Sequence, residues 1–175
     1  ESVRRKTWYK KVKGGCFMLG KIKEITEVYD YKIQPVAKME GKGGSLGMVQ
    51  MLNFLGGYEY MDGYKVETDK HVIYVLIDNG QSCCESWGYF ASEDDLNQFI
   101  GAELMEINLT DTALSKEKVE KSDYYDGGGG GGIQFVDFVT DKGVFQLAVY
   151  NAHNGYYGHG ILVAKDNDII LNETL

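Results

Sequence analysis

Short runs of apolar and β-branched residues, separated by polar turns, form the dominant pattern of this chain. Residues 71–77 are nearly continuously apolar and end at an Asp78-Asn79-Gly80 turn signal, which predicts a central strand covered on both faces. Near the C-terminus, four further runs predict strands at 133–140, 144–151, 161–165 and 168–171. Because these runs follow one another at turn spacing, we expect them to form a meander.

The pattern is less decisive in the first half of the chain. Residues 21–31 combine three-residue apolar spacing with β-branched residues, which favours a strand although a helix stays open. Residues 48–55 have the spacing of one helix face, with a strand as the alternative. We expect a turn at Asp62-Gly63, followed by a strand over 64–67.

One helix start is well marked. Ser92 is a suitable cap, acidic residues follow it where the helix dipole favours them, and Leu96, Phe99 and Ile100 lie along one face. A strand is predicted over 104–110, and the polar segment 111–122 is compatible with a second helix. The fold class expected from these elements is α+β, mostly antiparallel β-sheet with one or two short helices.

Six consecutive glycines occupy 127–132. Such a run has no side chains to pack, so we expect a mobile loop or a replacement linker. It contains the GxGxxG pattern trivially, without the preceding strand and following helix of a dinucleotide site. The chain also lacks the GxxxxGK[ST] pattern, which excludes a Walker-type nucleotide hydrolase.

The length of 175 residues fits one domain, which we place at 18–175 behind a basic leader, 1–17, that we expect to be disordered. The apolar fraction of 43% is too high for a disordered chain. Every apolar run is far shorter than the ~20 residues of a membrane helix. The pattern therefore predicts a soluble protein.

Charge is unevenly distributed. The leader holds six Lys and Arg residues against Glu1, so the body is more acidic than the net charge of −8 suggests. An acidic body repels phosphates, which argues against specific DNA binding and favours a basic partner. The three cysteines are odd in number and no export signal precedes them, so we expect reduced thiols and a cytoplasmic location.

The uncommon chemistry lies in two segments, 81–90 and 150–160, which we expect to be neighbouring parts of one sheet that display rings and amides toward a partner. Cys84 with His153 or His159, and Glu85 or Asn151, supplies the residue types of a thiol hydrolase. Glu85 disfavours the thiolate beside it, and free cysteines are usually buried, so a structural role is favoured over catalysis. A Cys2His2 metal site from Cys83, Cys84, His153 and His159 is disfavoured, because vicinal cysteines cannot easily reach one tetrahedral ion.

The loop over 151–160 is rich in Tyr, Asn and Gly, a composition found both in recognition surfaces and in structured hairpins that cover a sheet. Both interpretations stay open here. We expect no catalytic residue, metal or cofactor, and predict these binding residues: Cys84, Glu85, Trp87, Tyr89, Asn151, His153, Asn154, Tyr156, Tyr157 and His159.

These segments carry a resemblance. The motifs QSCCESWGYF at 81–90 and NAHNGYYGHG at 151–160 resemble an uncharacterised domain family of phages and mobile elements of Firmicutes. The resemblance covers roughly residues 58–165, and the glycine run departs from it. It implies a phage or prophage origin and no established enzymatic activity.

The chain is also similar in size and acidity to inhibitors of the RNA-guided nuclease of type II CRISPR systems. We therefore expect a non-enzymatic inhibitor that binds a bacterial host protein, with that nuclease and its guide RNA as the candidate partner, in the cytoplasm of the infected host. The first alternative is a module for a small ligand, such as a nucleotide signal, seated among Cys84, Trp87, His153 and Tyr156. A cysteine-dependent hydrolase is the second alternative.

Overall fold

The computed structural model describes residues 18–32, 60–81, 84–124, 130–166 and 168–175. In these ranges the chain forms nine strands, a short 3₁₀ helix at Leu96–Phe99 and one α-helix, α1, at Lys116–Lys121. The strands are β1 (Gly20–Tyr31), β2 (Met61–Thr68), β3 (Val72–Asp78), β4 (Glu85–Ala91), β5 (Glu103–Thr110), β6 (Gly130–Thr140), β7 (Gly143–His153), β8 (Gly160–Lys165) and β9 (Asp168–Thr174).

All strand pairs are antiparallel, in the order β4-β7-β6-β5-β1-β2-β3-β8-β9. Strand β1 joins two halves of this sheet. It pairs with β2 over most of its length but with β5 only at Gly20 and Lys21. One apolar cluster contains side chains from both halves, so the sheet folds over itself around a shared core.

Aromatic stacking and aliphatic packing fill that core. The rings of Phe138 and Phe145 stack at a centroid distance of 4.9 Å, and both side chains are fully buried. Val66 and Val75 from the other half belong to the same cluster. Leu76 packs into a second cluster on the opposite face of β3. The prediction that 71–77 forms a strand covered on both faces is therefore confirmed.

The strands predicted at 21–31 and 104–110 are present as β1 and β5. The mostly antiparallel sheet is confirmed, while helix in the described ranges is limited to ten residues. The fold is therefore nearly all β, and α+β overstates its helical part. The helix predicted at 48–55 lies outside the described residues, as does the leader.

The turn predicted at Asp62-Gly63 is wrong. Both residues lie inside β2, and Gly63 has a φ of +149°. A Cβ at Gly63 would stand 2.1 Å from the carbonyl oxygen of Val75 on β3. This glycine therefore permits a close approach of two strands, which sequence pattern does not separate from a turn.

The helix start was predicted one turn too early. The 3₁₀ helix begins at Leu96, and the side chain of Asp95 caps it by accepting from the N–H of Asn97 at 2.9 Å. Ser92 instead ends β4, where its hydroxyl accepts from the N–H of Gln146. The serine is a cap-type residue used to join two strands.

The prediction of a glycine loop over 127–132 is wrong for its last three residues. Gly130, Gly131 and Gly132 begin β6 and pair with His153, Ala152 and Asn151 of β7. The other three glycines lie outside the described residues. Because glycines lack side chains, this part of β6 can lie close to β7.

The meander predicted over the last four strands is interrupted. Strands β6 and β7 form one hairpin and β8 and β9 another, but β7 pairs with β4 while β8 pairs with β3. The loop over 154–159 therefore crosses from one half of the sheet to the other. No helix in the described residues is long and apolar enough to span a membrane.

Candidate functional site

The two segments with uncommon chemistry lie side by side. Strands β4 and β7 are hydrogen-bonded neighbours, with Glu85 opposite His153 and Trp87 opposite Asn151. The prediction that the cysteine segment and the histidine segment meet in one sheet is confirmed. The side chains that we expect to face a partner differ widely in exposure.

His159 and Glu85 form a buried pair. The Nε2 atom of His159 lies 2.8 Å from Oε2 of Glu85, and 3% and 0% of the two side chains are exposed. Nδ1 of the same ring lies 2.6 Å from the backbone oxygen of Asp78. The ring of Trp87 stacks over the imidazole at 5.4 Å. This cluster joins the ends of β3, β4 and β8 and so ties the two halves of the sheet together.

Donor and acceptor rules fix the proton arrangement of the pair. The Asp78 carbonyl only accepts, so Nδ1 of His159 must carry a hydrogen. Nε2 then either donates to an ionised Glu85 or accepts from a protonated one. In both cases neither ring nitrogen is free for a substrate.

Burial raises the pKa of the nearby Asp78 carboxyl, and the Glu85 charge raises it further, against the opposing effects of the Gly80 N–H and His159.

Asn151 is also a structural residue. It is fully buried, and its Nδ2 donates to the backbone oxygens of Tyr157 and Leu175 at 2.7 and 3.1 Å. These bonds hold the crossing loop and the end of β9 against β7. Three of the predicted binding residues, Asn151, His159 and Glu85, therefore have side chains that lie inside the protein.

His153 organises the crossing loop. Its Nδ1 accepts from the N–H groups of Gly155 and Tyr157 at 2.9 and 3.3 Å. That nitrogen cannot act as a base while it accepts these bonds.

The remaining predicted residues reach the surface to different degrees. Tyr156 is 84% exposed, and Asn154 and Cys84 are exposed as well. Cys84 has a φ of +63° just before β4 begins. Trp87 and Tyr157 are half-buried, and the indole of Trp87 donates to Gln81 at 2.9 Å. Tyr156 and Asn154 thus remain available as contact groups.

Metal ligands do not converge in the described part of the chain, where no group of three or more His, Cys, Asp or Glu side chains is arranged to hold an ion. Cys83, one of the four residues considered for a zinc site, lies outside that part.

A cleft of about 520 Å³ opens beside β4, between the two halves of the sheet. Its walls include residues 25–27 of β1 and 89–91 of β4, and Tyr64 also lines it. Four carboxylates and one cation complete the lining: Glu27, Glu93, Asp94, Asp95 and Lys118. Tyr89 is the one predicted binding residue that lines this cleft.

Tyrosines surround the carboxylate of Glu27. The hydroxyl of Tyr29 donates to its Oε2, and the hydroxyl of Tyr89 lies 3.5 Å from the same atom. The ring of Tyr64 meets that of Tyr89 edge-on at 5.2 Å. Burial raises the pKa of the Tyr89 phenol, and its hydrogen bond with Tyr29 adds to the effect.

At the other wall of the cleft, Lys118 of α1 bonds Asp94 and lowers the pKa of that carboxyl. The remaining carboxylates keep the cleft acidic.

Sequence reasoning missed this cleft. Glu93, Asp94 and Asp95 are adjacent and were explained by the helix dipole, while Glu27 lies more than sixty residues earlier. The available signal was weak: Glu27 and Tyr29 are two residues apart, so they share one face of a strand.

His71 has a structural role, because it contacts the turn between β8 and β9. Its Nδ1 lies 2.6 Å from Oδ2 of Asp166, whose other oxygen accepts from the Val72 N–H at 2.9 Å. Burial acts to raise the pKa of Asp166, but the Val72 N–H and His71 outweigh it and the pKa is lowered.

Asp166→Asn is expected to destabilise the protein at neutral pH by about 1 kcal/mol or less, because the contact between Asp166 and His71 is partly exposed. Because folding lowers the pKa of Asp166, this carboxylate stabilises the protein at pH values above its ordinary pKa of 3.8. The stabilisation is lost as the pH falls through the pKa of the folded state. Urea unfolding of both proteins at neutral pH and near pH 2 measures this. A difference that persists at low pH would contradict the assignment.

Comparison with known proteins gives one match. The family model of a domain of unknown function, DUF7448, matches residues 18–163. No curated protein and no solved structure matches the chain.

Proposed function

The chain belongs to the DUF7448 family, and on this premise we propose that it is a phage-derived, non-enzymatic inhibitor that binds a bacterial immune effector directly. The expected target is the RNA-guided nuclease of type II CRISPR systems. The observation that carries the proposal is the acidic cleft beside β4.

Charge and chemistry of the cleft support a basic protein partner. Glu27, Glu93, Asp94 and Asp95 outnumber the single cation Lys118. Nucleases guided by RNA hold their heteroduplex in a positively charged channel. An acidic surface complements such a channel and accelerates encounter with it. The net charge of −8 acts in the same direction.

The arrangement of the histidines supports a function without bond-breaking chemistry. His159 is buried with both ring nitrogens engaged, and His153 uses Nδ1 to hold its own loop. A thiol nucleophile needs a neighbouring base, and the hydrogen bonds given above already engage Nδ1 of His153 and both ring nitrogens of His159.

Inhibition is expected to depend steeply on salt. With the full chain, a type II effector loaded with guide RNA and a cleavable DNA, the association rate should fall at least about tenfold from low to high salt, because exposed charges are screened. Stopped-flow binding and DNA cleavage measured in parallel test this. A guide-loaded effector that neither binds the protein nor is inhibited by it, at any salt concentration, would refute the proposed target.

Cys84→Ser is the matched control for a catalytic function. Inhibition and binding are both expected to be unchanged in this variant. Loss of inhibition with binding intact would identify a cysteine-dependent enzyme instead. Salt-independent binding of a nucleotide, lost on substitution of His153 or Tyr156, would favour the small-ligand module.

A further inference from the structure

Strand β4 forms one edge of the sheet. Within the described ranges it pairs only with β7. The N–H of Ser92 donates to the backbone oxygen of Gln146 at 2.8 Å, so the backbone groups at Ser92 point toward β7. In an antiparallel pair, residues whose backbone groups point toward the partner strand alternate with residues whose groups point away from it. The backbone N–H and C=O groups of Tyr89 and Ala91 therefore point away from β7, toward the outer edge of β4.

Part of strand β1, which also lines the cleft, has a backbone edge that no other strand of the described residues covers. The N–H of Thr68 donates to the backbone oxygen of His71, so the backbone groups of Thr68, and of every second residue before it in β2, point toward β3. The residues between them point toward β1 and pair with Thr26 and its alternate neighbours. The backbone groups of Ile25 and Glu27 then point away from β2. Strand β5 does not cover them, because it pairs with β1 only at Gly20 and Lys21.

The cleft therefore combines two features. Its walls contain Ile25 and Glu27 from one edge and Tyr89 and Ala91 from the other, so main-chain donors and acceptors line it. Its charged side chains are mostly carboxylates. An exposed edge pairs readily with an added strand, and alternate side chains of that strand give specificity.

We infer that this cleft binds an extended basic segment of the partner protein, which adds as a strand to the free edge of β4. The inference rests on the proposed function and names how the partner is recognised. Extended backbone satisfies the N–H and C=O groups of Tyr89 and Ala91, and Lys or Arg side chains pair with the acidic lining. Charge complementarity selects a basic segment over a neutral or acidic one.

Glu27 has a particular place in this recognition. The Tyr29 hydroxyl donates to Oε2, which holds the carboxylate in a fixed orientation beside the β1 edge. The Tyr29 side chain is 64% exposed, so its ring is accessible to a cation. An Arg side chain placed here gains a charge-assisted hydrogen bond from Glu27 and a cation–π contact with Tyr29.

The test uses the full chain and a capped synthetic decapeptide that alternates Arg and Val. Glu27→Gln is expected to weaken peptide binding about tenfold, the effect of losing one charge-assisted hydrogen bond. Glu106→Gln, at an exposed position of β5 outside the cleft lining, is the matched control and should bind normally. Titration calorimetry measures both.

Two further readouts are specific to strand addition. Hydrogen exchange at the Tyr89 and Ala91 amides should slow on binding. N-methylation of one alternate set of peptide residues should abolish binding, while methylation of the other set leaves it intact. Equal tolerance of both sets, or unprotected amides in a saturated complex, overturns the inference. So does an RNA oligonucleotide that protects the same two amides, or a dimer of this chain paired through β4.

The two proposals fail in different ways. An effector that is inhibited while the Tyr89 and Ala91 amides stay unprotected leaves the proposed function standing and overturns strand addition. If the peptide binds the protein as described but the protein has no effect on the effector, strand addition stands and the proposed target is overturned.

Discussion

Replacement of His159 by alanine is expected to lower the free energy of unfolding by about 3–5 kcal/mol, because it leaves two buried hydrogen-bonding groups without their histidine partner. The substitution takes the imidazole away from the buried carboxyl group of Glu85 and the carbonyl of Asp78. It also removes the ring that stacks under Trp87. Because these groups belong to β3, β4 and β8, the loss acts on the contact between the two halves of the sheet.

Glu85→Gln is the matched control. The amide can donate to Nε2 of a neutral His159, so one hydrogen bond and the ring stack persist, and a loss of about 1 kcal/mol is expected. Chemical denaturation of the three proteins gives the comparison. A His159→Ala protein as stable as the Glu85→Gln protein would show that the pair contributes little.

The second large effect is expected for Gly131→Ala, which should lower the free energy of unfolding by about 2–3 kcal/mol. Gly131 has a φ of +91°, and a Cβ there would stand 2.1 Å from the backbone oxygen of Asn151. Backbone atoms cannot rotate away as a side chain does, so the start of β6 must separate from β7.

The next glycine provides the control. A Cβ at Gly132 would meet only the Leu175 side chain, at 3.4 Å. Gly132→Ala is expected to be neutral or slightly stabilising, by up to about 1 kcal/mol, because it restricts the unfolded chain. Thermal and urea unfolding of both variants test the assignment. If both substitutions are tolerated equally, the segment is a loop, as the glycine run suggested, and its assignment to β6 is wrong.

Apolar patterning predicted most of the sheet. Strands such as β3 and β5 have runs whose burial requires extended pairing, so their positions follow from the sequence alone. The Asp62-Gly63 pair misled because glycine is selected both by turns and by close strand contacts. The start of β6 was missed because glycines carry no pattern, and their pairing is imposed by β7.

The candidate site was harder to predict than the fold. Polar residue types identified the contact between β4 and β7, yet the same types are used inside the protein when two sheet halves need polar cross-links. His159 and Asn151 are examples, since their burial depends on residues more than twenty positions away, such as Asp78 and Leu175. The acidic cleft joins Glu27 to the 93–95 segment only through tertiary structure.

The two margins of the sheet differ in a way that affects self-association. At one margin, β9 carries Asp168, Asn172 and Glu173 and shields β8, whose residues 161–164 are all buried. Charged outer strands discourage the growth of intermolecular sheets. At the other margin, no strand of the described residues covers the outer edge of β4 along residues 89–91, where the nearby acids repel another copy of this acidic chain. Polymer growth is thus discouraged at one margin by the polar and charged side chains of β9 and at the other by the acids beside β4.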